Sequence, residues 1–338
     1  MMSQATHRVL IIGVGSIGER HLRCFLKTGR AVLGFVETRT EQAAELRGRY
    51  PQVLSFSSLG AALEQTWDVA VIATPAPLHI PQALDLIRRQ IHLLIEKPLG
   101  TSLEQVDELQ SARLQSSSVC GVAYVYRAHP VLAEMRAAIQ TGEFGRPVQL
   151  IANCGQNFPT YRPSYDRIYY ADRKLGGGAV QDALTHIVNL GEWFVGPIEK
   201  VVSDLGHLVL PRVTVEDTVH VLARHGAVLA NYSLNQHQAP NEITFTIVCE
   251  HGTLRYEHHL NRWRVMTAPE SPWQDFAFPP MERDEWFLRQ ANSFLDAVEG
   301  KSQPLCSVED ALNTLKVNLA ILRSAETQMW CQVSSLKD

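Results

Sequence analysis

Three groups of residues in this chain have the types and spacing to do chemistry. Gly13-Val14-Gly15-Ser16-Ile17-Gly18 is a G-x-G-x-x-G run between the apolar stretch Val9–Ile12 and a segment of helical pattern. There the first glycine permits a tight turn. The second keeps side chains away from an approaching pyrophosphate, and the third lets helix and strand pack closely. The helix start at Ser16 and Ile17 offers N–H groups without intrahelical partners, and the positive end of a dipole, to phosphate oxygens. Glycine-rich turns that bind nothing also occur, so the flanking strand and helix patterns carry this reading.

Glu37 lies 19 residues beyond Gly18, at the end of the next apolar run. A carboxylate there accepts both adenosine ribose hydroxyls and repels a 2′-phosphate, which favours NAD over NADP. Arg39 keeps NADP open, because a guanidinium two residues on is able to pair with that phosphate. A solvated charge at a strand end is the plainer alternative for Glu37.

The second group is Glu96-Lys97-Pro98, directly after the apolar run Ile91–Ile95. In a doubly wound sheet, ligands bind beyond the carboxyl ends of the strands, where Lys97 falls. Pro98 biases Lys97 to extended backbone. An ammonium there stabilises alkoxide character as hydride leaves a carbinol carbon. Thr74-Pro75 and His79, after the neighbouring run Asp68–Ala73, frame the place for a nicotinamide. Read singly, Lys97 is equally a surface lysine and His79 a structural histidine.

The third group follows Gly176-Gly177-Gly178. Asp182 and His186, four residues apart, share one helical face. Oxidising an alcohol releases a hydride and a proton, and histidine suits the proton because its unperturbed pKa is about 6.5. Asp182 is placed to orient the imidazole or to contact substrate. Solvated i,i+4 pairs are common, so this pair too needs its context. The preceding loop carries Asn157, Tyr161, Arg162, Tyr165, Asp166, Arg167, Tyr169, Tyr170 and Arg173. These suit a polyhydroxylated or carboxylated small molecule, and equally a subunit interface.

Elements able to position these groups are legible in the pattern. Strands are expected at Arg8–Ile12, Ala31–Val36, Asp68–Ala73, Ile91–Ile95 and Val119–Ala123. Helices are expected at Ser16–Thr28, Thr40–Arg49, Pro81–Gln90 and Ser102–Gln115, the last capped by Ser102 with Gln105 as capping-box partner. Alternating strands and helices imply a parallel, doubly wound sheet. After Tyr124 a helix over His129–Thr141 leads to longer strands at Val148–Cys154, Val215–Arg224, Ala227–Leu234, Ile243–Cys249 and Thr253–Glu257. His225-Gly226 and His251-Gly252 stand at hairpin turns, and helices over Glu285–Glu299 and Val308–Thr327 follow. The fold class is therefore α/β: residues 1–124 form a parallel, doubly wound domain, and residues 125–338 a substrate-binding and oligomerisation domain of α+β type with a largely antiparallel sheet, its terminal helices free to pack back on the first domain.

Composition narrows the class. The chain has 338 residues, 45% of them apolar, and a net charge of −4. No basic block stands out, so neither nucleic acid nor an anionic membrane surface is an expected partner. The first apolar run is too short for a signal-peptide core, and no window reaches the roughly 18 apolar residues of a membrane span. Six scattered cysteines without a C-x-x-C pair suggest reduced thiols in the cytoplasm and no metal site.

Gly13–Gly18, Glu96-Lys97-Pro98, Arg127 with Pro130, Gly176–His186 and Val215-Glu216-Asp217, in this order, resemble the glucose–fructose oxidoreductase, inositol dehydrogenase and rhizopine-catabolism (Gfo/Idh/MocA) family across nearly the whole chain. The resemblance implies a Rossmann domain followed by an open-sheet domain, with Lys97, Asp182 and His186 at the active centre. It also implies dimers or tetramers formed through the sheet's outer face. The expected cofactor site comprises Gly13, Gly15, Ser16, Ile17, Gly18, Glu37, Thr74, Pro75, His79 and Glu96. The expected substrate site comprises Lys97, Arg127, Tyr161, Arg162, Asp182 and His186. The expected activity is NAD(P)-dependent hydride transfer at a carbinol or carbonyl carbon of a sugar or cyclitol. An NAD-dependent glycosidase with transient redox and a non-catalytic nucleotide-binding regulator are the alternatives.

Overall fold

The computed structural model describes residues 7–336. In chain order, the first elements are β1 (His7–Ile12), α1 (Ser16–Lys27), β2 (Ala31–Val36), α2 (Thr40–Arg49), β3 (Leu54–Phe56), α3 (Leu59–Ala62), β4 (Val69–Ile72), α4 (His79–Ile87), β5 (His92–Ile95), α5 (Val106–Leu114) and β6 (Cys120–Val122). Then come α6 (Pro130–Gln140), β7 (Pro147–Gly155), α7 (Phe158–Tyr161), α8 (Thr185–Val195), β8 (Lys200–Gly206), β9 (Thr218–His225), β10 (Val228–Asn235), β11 (Glu242–Cys249), β12 (Gly252–Glu257), β13 (Arg262–Met266) and β14 (Gln274–Ala277). The last are α9 (Arg283–Val298), α10 (Val308–Thr327) and β15 (Cys331–Gln332).

The chain forms two compact units. One runs to Ala128 and takes back Glu282–Val308; the other holds His129–Met281 and the chain from Glu309 onward. The expected division at residue 124 therefore shifts to Ala128, and α9 belongs with the first unit. The apolar face of α9 explains this: Ala291, Phe294 and Leu295 join the core of Val9, Ile11, Leu22, Phe25 and Phe35. Asp284 adds a polar link, accepting from Arg20 (3.1 Å) and from Arg23 (2.5 and 2.7 Å) on α1. Beyond α9, the Cys306 carbonyl accepts from Val122 N–H at 3.0 Å, so the returning chain borders β6.

The first unit's sheet has the order β3-β2-β1-β4-β5-β6, and every pair is parallel. Its central strands β4 (VAVI) and β5 (HLLI) are almost wholly apolar, as sheets covered on both faces require. Strand order reverses between β1 and β4. The glycine loop, Thr74-Pro75 and Lys97 all follow carboxyl ends of adjacent strands there, the edge where such sheets bind ligands.

Several boundaries differ from the pattern. The helix expected from Ser102 starts at Val106, because Gln105 takes a left-handed conformation (φ 59°) that no helix continues through. Ser102 Oγ instead accepts from Glu104 N–H at 3.3 Å, so the expected capping box does not form. α4 starts at His79, two residues before the expected Pro81. β9 starts at Thr218 rather than Val215, since the Asp217 carboxylate accepts N–H bonds from Leu208, Val209 and Leu210 and folds that segment into a loop.

The second unit's sheet has nine strands in the order β14-β13-β12-β11-β7-β10-β9-β8-β15. It is antiparallel except where β10 pairs with β7. α10 docks on β8, where the Ser203 hydroxyl donates to the Ile321 carbonyl at 2.7 Å and the Ser203 N–H donates to Ser324 Oγ at 3.1 Å. On β9 alternate residues are buried, while His220 and Leu222 are exposed on the other face. Cys249 pairs with Gly252 across the hairpin turn Glu250-His251.

His225 ends β9 with its ring buried. Nδ1 lies 2.6 Å from the Gly196 carbonyl and Nε2 lies 2.8 Å from the Tyr232 hydroxyl. Burial pushes its pKa down to about 4. The unfolded value is about 6.5, so the folded state favours the neutral ring. That contribution is complete above about pH 6.5 and is lost as pH falls toward about 4, on the order of 3 kcal/mol in all. His225→Phe should therefore unfold thermally with a shallower decline between about pH 6.5 and 4 than the wild type. Equal slopes in calorimetry would assign the acid loss elsewhere.

Candidate active site

The glycine loop is shaped by packing at two positions and by open space at the third. Gly13 has φ +81°, and a Cβ there would stand 3.0 Å from the Ala73 carbonyl. At Gly18 a Cβ would lie 1.9 Å from the Gly13 carbonyl, so helix and turn close only on glycine. A Cβ on Gly15 would meet no protein atom within 4 Å. The protein leaves that space open beside the amino end of α1, where no side chain caps the helix. Ser16 is exposed, and Gly15 and Ile17 are partly so. This cradle fits a pyrophosphate, whose oxygens accept from the first N–H groups of the helix.

Glu37, at the end of β2, is only 5% exposed. Oε1 accepts from Arg39 N–H (2.9 Å) and Nε (3.0 Å), and Oε2 accepts from Nη2 at 2.9 Å. Burial pushes its carboxyl up, but the Arg39 bonds outweigh burial and hold it below the usual range. Gln42 Nε2 donates to the Val14 carbonyl at 2.5 Å, tying α2 to the glycine loop.

Beyond β4, Thr74 donates to Gln82 Oε1 at 2.8 Å, and Pro75 is exposed. His79 is turned inward and is 1% exposed. Nε2 lies 2.8 Å from the Thr74 carbonyl and Nδ1 lies 2.8 Å from the Pro98 carbonyl. Burial lowers its pKa. Beyond β5, Glu96 is buried: Oε1 lies 2.7 Å from His21 Nε2, and Oε2 accepts from Lys97 N–H at 3.0 Å. Burial raises the Glu96 pKa, yet the His21 bond outweighs it and the net direction is down. Lys97 itself is partly buried, and its bond to Pro98 is cis. Arg127 is 4% exposed, and its guanidinium donates to the Leu305 carbonyl at 3.1 Å.

In the second unit, the triple glycine is needed for close approach. A Cβ on Gly177 would lie 2.3 Å from the Tyr170 carbonyl, and one on Gly178 would lie 2.4 Å from Glu216 Oε1. Glu216 seats the next segment. Its carbonyl accepts from Ala179 N–H (3.0 Å) and its Oε1 from Val180 N–H (3.1 Å), while Oε2 pairs with Arg173 at 2.8 Å. Val180–Leu184 is a π-helical turn leading into α8. Asp182 sits in that turn and is 5% exposed; His186, on the first turn of α8, is partly buried. Asp182 Oδ1 accepts from the Tyr169 hydroxyl at 2.5 Å and stands 3.5 Å from Arg162 Nη1. The neighbouring Asp182 raises the Arg162 pKa, while burial and then Asp182 raise that of Tyr169. Both protons therefore stay in place, and Asp182 is the acceptor of the cluster. Thr185 accepts from Asn318 on α10 at 2.8 Å, bracing the start of α8.

Arg162 and Asp182 thus come together, whereas the Tyr161 side chain is 53% exposed. From sequence, Tyr169 stands only among the hydrogen-bonding residues of its loop and Glu216 only in the Val215-Glu216-Asp217 motif. His21 has a weaker signal, a polar residue on the buried face of α1 beside Leu22 and Phe25. Among the described residues no group of three or more metal-ligating side chains stands together, and no helix is long and apolar enough to cross a membrane.

Two family models match the chain. The oxidoreductase family with an NAD-binding Rossmann fold covers residues 7–124, and the GFO/IDH/MocA C-terminal domain covers residues 132–255. Inositol 2-dehydrogenase of Mycolicibacterium smegmatis is 31% identical over 191 residues, 54% of this chain and 51% of that relative, so the match spans about half of its length. 1,5-Anhydro-D-fructose reductase of Ensifer adhaerens is 25% identical over 333 residues, 96% of this chain and 98% of that one. Among solved structures, levoglucosan dehydrogenase in complex with NADH and levoglucosan has a TM-score of 0.89 at 21% identity, covering 97% of this chain and 99% of that one, a likeness of fold. With both halves matched and the dinucleotide cradle in place, this chain belongs to the Gfo/Idh/MocA family of NAD-binding oxidoreductases.

Proposed function

We propose that the chain is a dehydrogenase of sugars or cyclitols, moving hydride reversibly between a carbinol carbon and nicotinamide. The observation that carries this reading is the buried Asp182 carboxylate, held by Tyr169 and Arg162 one turn before His186. A fixed acceptor next to a phenol and a guanidinium suits hydroxyl groups and disfavours an anionic substrate. The names of the relatives, an inositol dehydrogenase and an anhydrofructose reductase, support the substrate class.

When bound, NAD supplies the hydride acceptor at nicotinamide C4. Gly13–Gly18 and the start of α1 hold its pyrophosphate, Glu37 its adenosine ribose, and Thr74-Pro75 borders the nicotinamide. Lys97 donates a hydrogen bond to the reacting oxygen and steadies its developing negative charge. His186 takes the hydroxyl proton. Asp182, with Tyr169 and Arg162, fixes the substrate hydroxyls relative to His186. Six scattered, buried cysteines with no C-x-x-C pair support work in a reducing compartment, the cytoplasm. We place the homodimer or homotetramer contact on the open face of the nine-stranded sheet, where Leu222 and Leu229 are exposed.

The decisive test is a screen of sugars and cyclitols by NADH absorbance with both cofactors. On any substrate found, Lys97→Met should lower kcat by about 100-fold or more while the Kd for NAD stays within about threefold. Full activity in that variant would remove Lys97 from the chemistry. Tyr169→Phe, which leaves Asp182 one donor short, should lower kcat/KM by about tenfold; an unchanged value would make Tyr169 a packing residue. Glu37→Ser should shrink the preference for NAD over NADP in kcat/KM by at least about tenfold. A preference that survives would place cofactor selection elsewhere.

A further inference from the structure

Lys97 is gripped on both sides by buried histidines that belong to other elements. On its amino side, the Glu96 carboxylate bridges His21 on α1 and the backbone N–H of Lys97 itself. On its carboxyl side, the Pro98 carbonyl lies 2.8 Å from His79 Nδ1, and the opposite ring nitrogen lies 2.8 Å from the Thr74 carbonyl. His21 and His79 are each 1% exposed, so neither ring is available to a ligand in solution. We propose that His21 and His79 are positioning residues that fix the backbone on either side of Lys97, one to the pyrophosphate-binding helix and the other to the loop after β4.

β5 ends at Ile95, and α5 starts only at Val106, so no helix follows Lys97 directly. Pro98 has no N–H to anchor with. The ladder bonds of the sheet stop at Glu96, whose N–H reaches the Ile72 carbonyl at 2.8 Å. From there the Glu96 carboxylate and the Pro98 carbonyl supply polar anchors, and each ends on a histidine. The His79 ring also packs between two loops that follow adjacent strands; with its proton on Nδ1 it donates to Pro98, and with it on Nε2 to Thr74. A long, flexible lysine gains its geometry from the fixed backbone at its root, and a displacement of about 1 Å there lowers rates by about 100-fold. An apolar side chain in place of either histidine fills the volume and releases the anchor.

This inference rests on the catalytic role proposed for Lys97, but its test does not need turnover. Reductive 13C-methylation of lysines gives each a resonance, and the one absent from Lys97→Arg belongs to Lys97. In His21→Met and His79→Met, folded by circular dichroism, that resonance should move or broaden. His21→Gln returns a donor near the Nε2 position and should bring it back. Where a substrate is known, kcat should drop by about 10- to 100-fold in both methionine variants with KM for NAD little changed, and His21→Gln should recover most of it. A Lys97 resonance unmoved in both methionine variants overturns the proposal, as does a kcat equal to wild type. If the methionine variants do not fold, Glu96→Gln weakens the first clamp without changing volume and is read the same way. A wild type inactive on all substrates, with the resonance shifts present, would sink the hydride-transfer reading and leave the clamp standing.

Discussion

Glu96 carries its charge into a place where burial favours the neutral acid. It stays ionised because two donors face it, the His21 ring and the N–H of Lys97. A buried carboxylate with every oxygen engaged is hard to move, since any displacement leaves a charge unmatched. The second unit uses the same device three times. Glu216 holds the turn that carries Asp182, Asp217 gathers three backbone N–H groups of the loop at 208–210, and Asp182 is pinned by Tyr169 and Arg162. In each case a carboxylate fixes a segment through hydrogen bonds that the neighbouring sheet or helix ladder does not supply.

Glycines let those carboxylates and carbonyls come so close. Gly178 leaves room for the Glu216 carboxylate, and Gly177 for the Tyr170 carbonyl. Gly191 does the same on α8, where a Cβ would stand 2.0 Å from the Tyr232 hydroxyl that faces His225. The π-helical turn at Val180–Leu184 belongs to this economy of space. Glu216 fixes its start, and Thr185, held by Asn318 of α10, fixes its end.

The first unit was legible in the sequence because its strands are buried on both faces and read as uninterrupted apolar runs. β13 and β14 escaped the pattern because their residues are amphipathic: Arg262 and Arg264 pair across the strands with Asp275, and Arg262 also pairs with Glu257. Such charge ladders look like loop composition until the partner strand is in place. Of the two terminal helices expected to be free to pack back, α9 joins the first unit and α10 does not, a choice hidden in sequence because an apolar face says that a helix packs but not against what. Among site residues, the motifs exposed the backbone cradle and Lys97, whose meaning is local. Tyr169, Glu216 and His21 act through partners 13, 36 and 75 residues away, and no spacing rule names such partners. His79 was legible as part of the site but not in its direction, because a ring that faces two carbonyls leaves the same trace in sequence as one that faces a ligand.

Arg39 shows how one residue can be read two ways until its partner is known. From sequence its guanidinium is a candidate for a 2′-phosphate, which pulls against Glu37. In the fold the two form a bidentate pair, with the Arg39 backbone N–H as a third contact to the same carboxylate. A 2′-phosphate would have to break that fork and then face a carboxylate held ionised by its surroundings. Ribose hydroxyls, by contrast, find an acceptor already fixed in direction by the arginine. Arg39 therefore fixes the Glu37 carboxylate in a way that suits a ribose rather than a 2′-phosphate, in keeping with the NAD-binding Rossmann family model that matches this half.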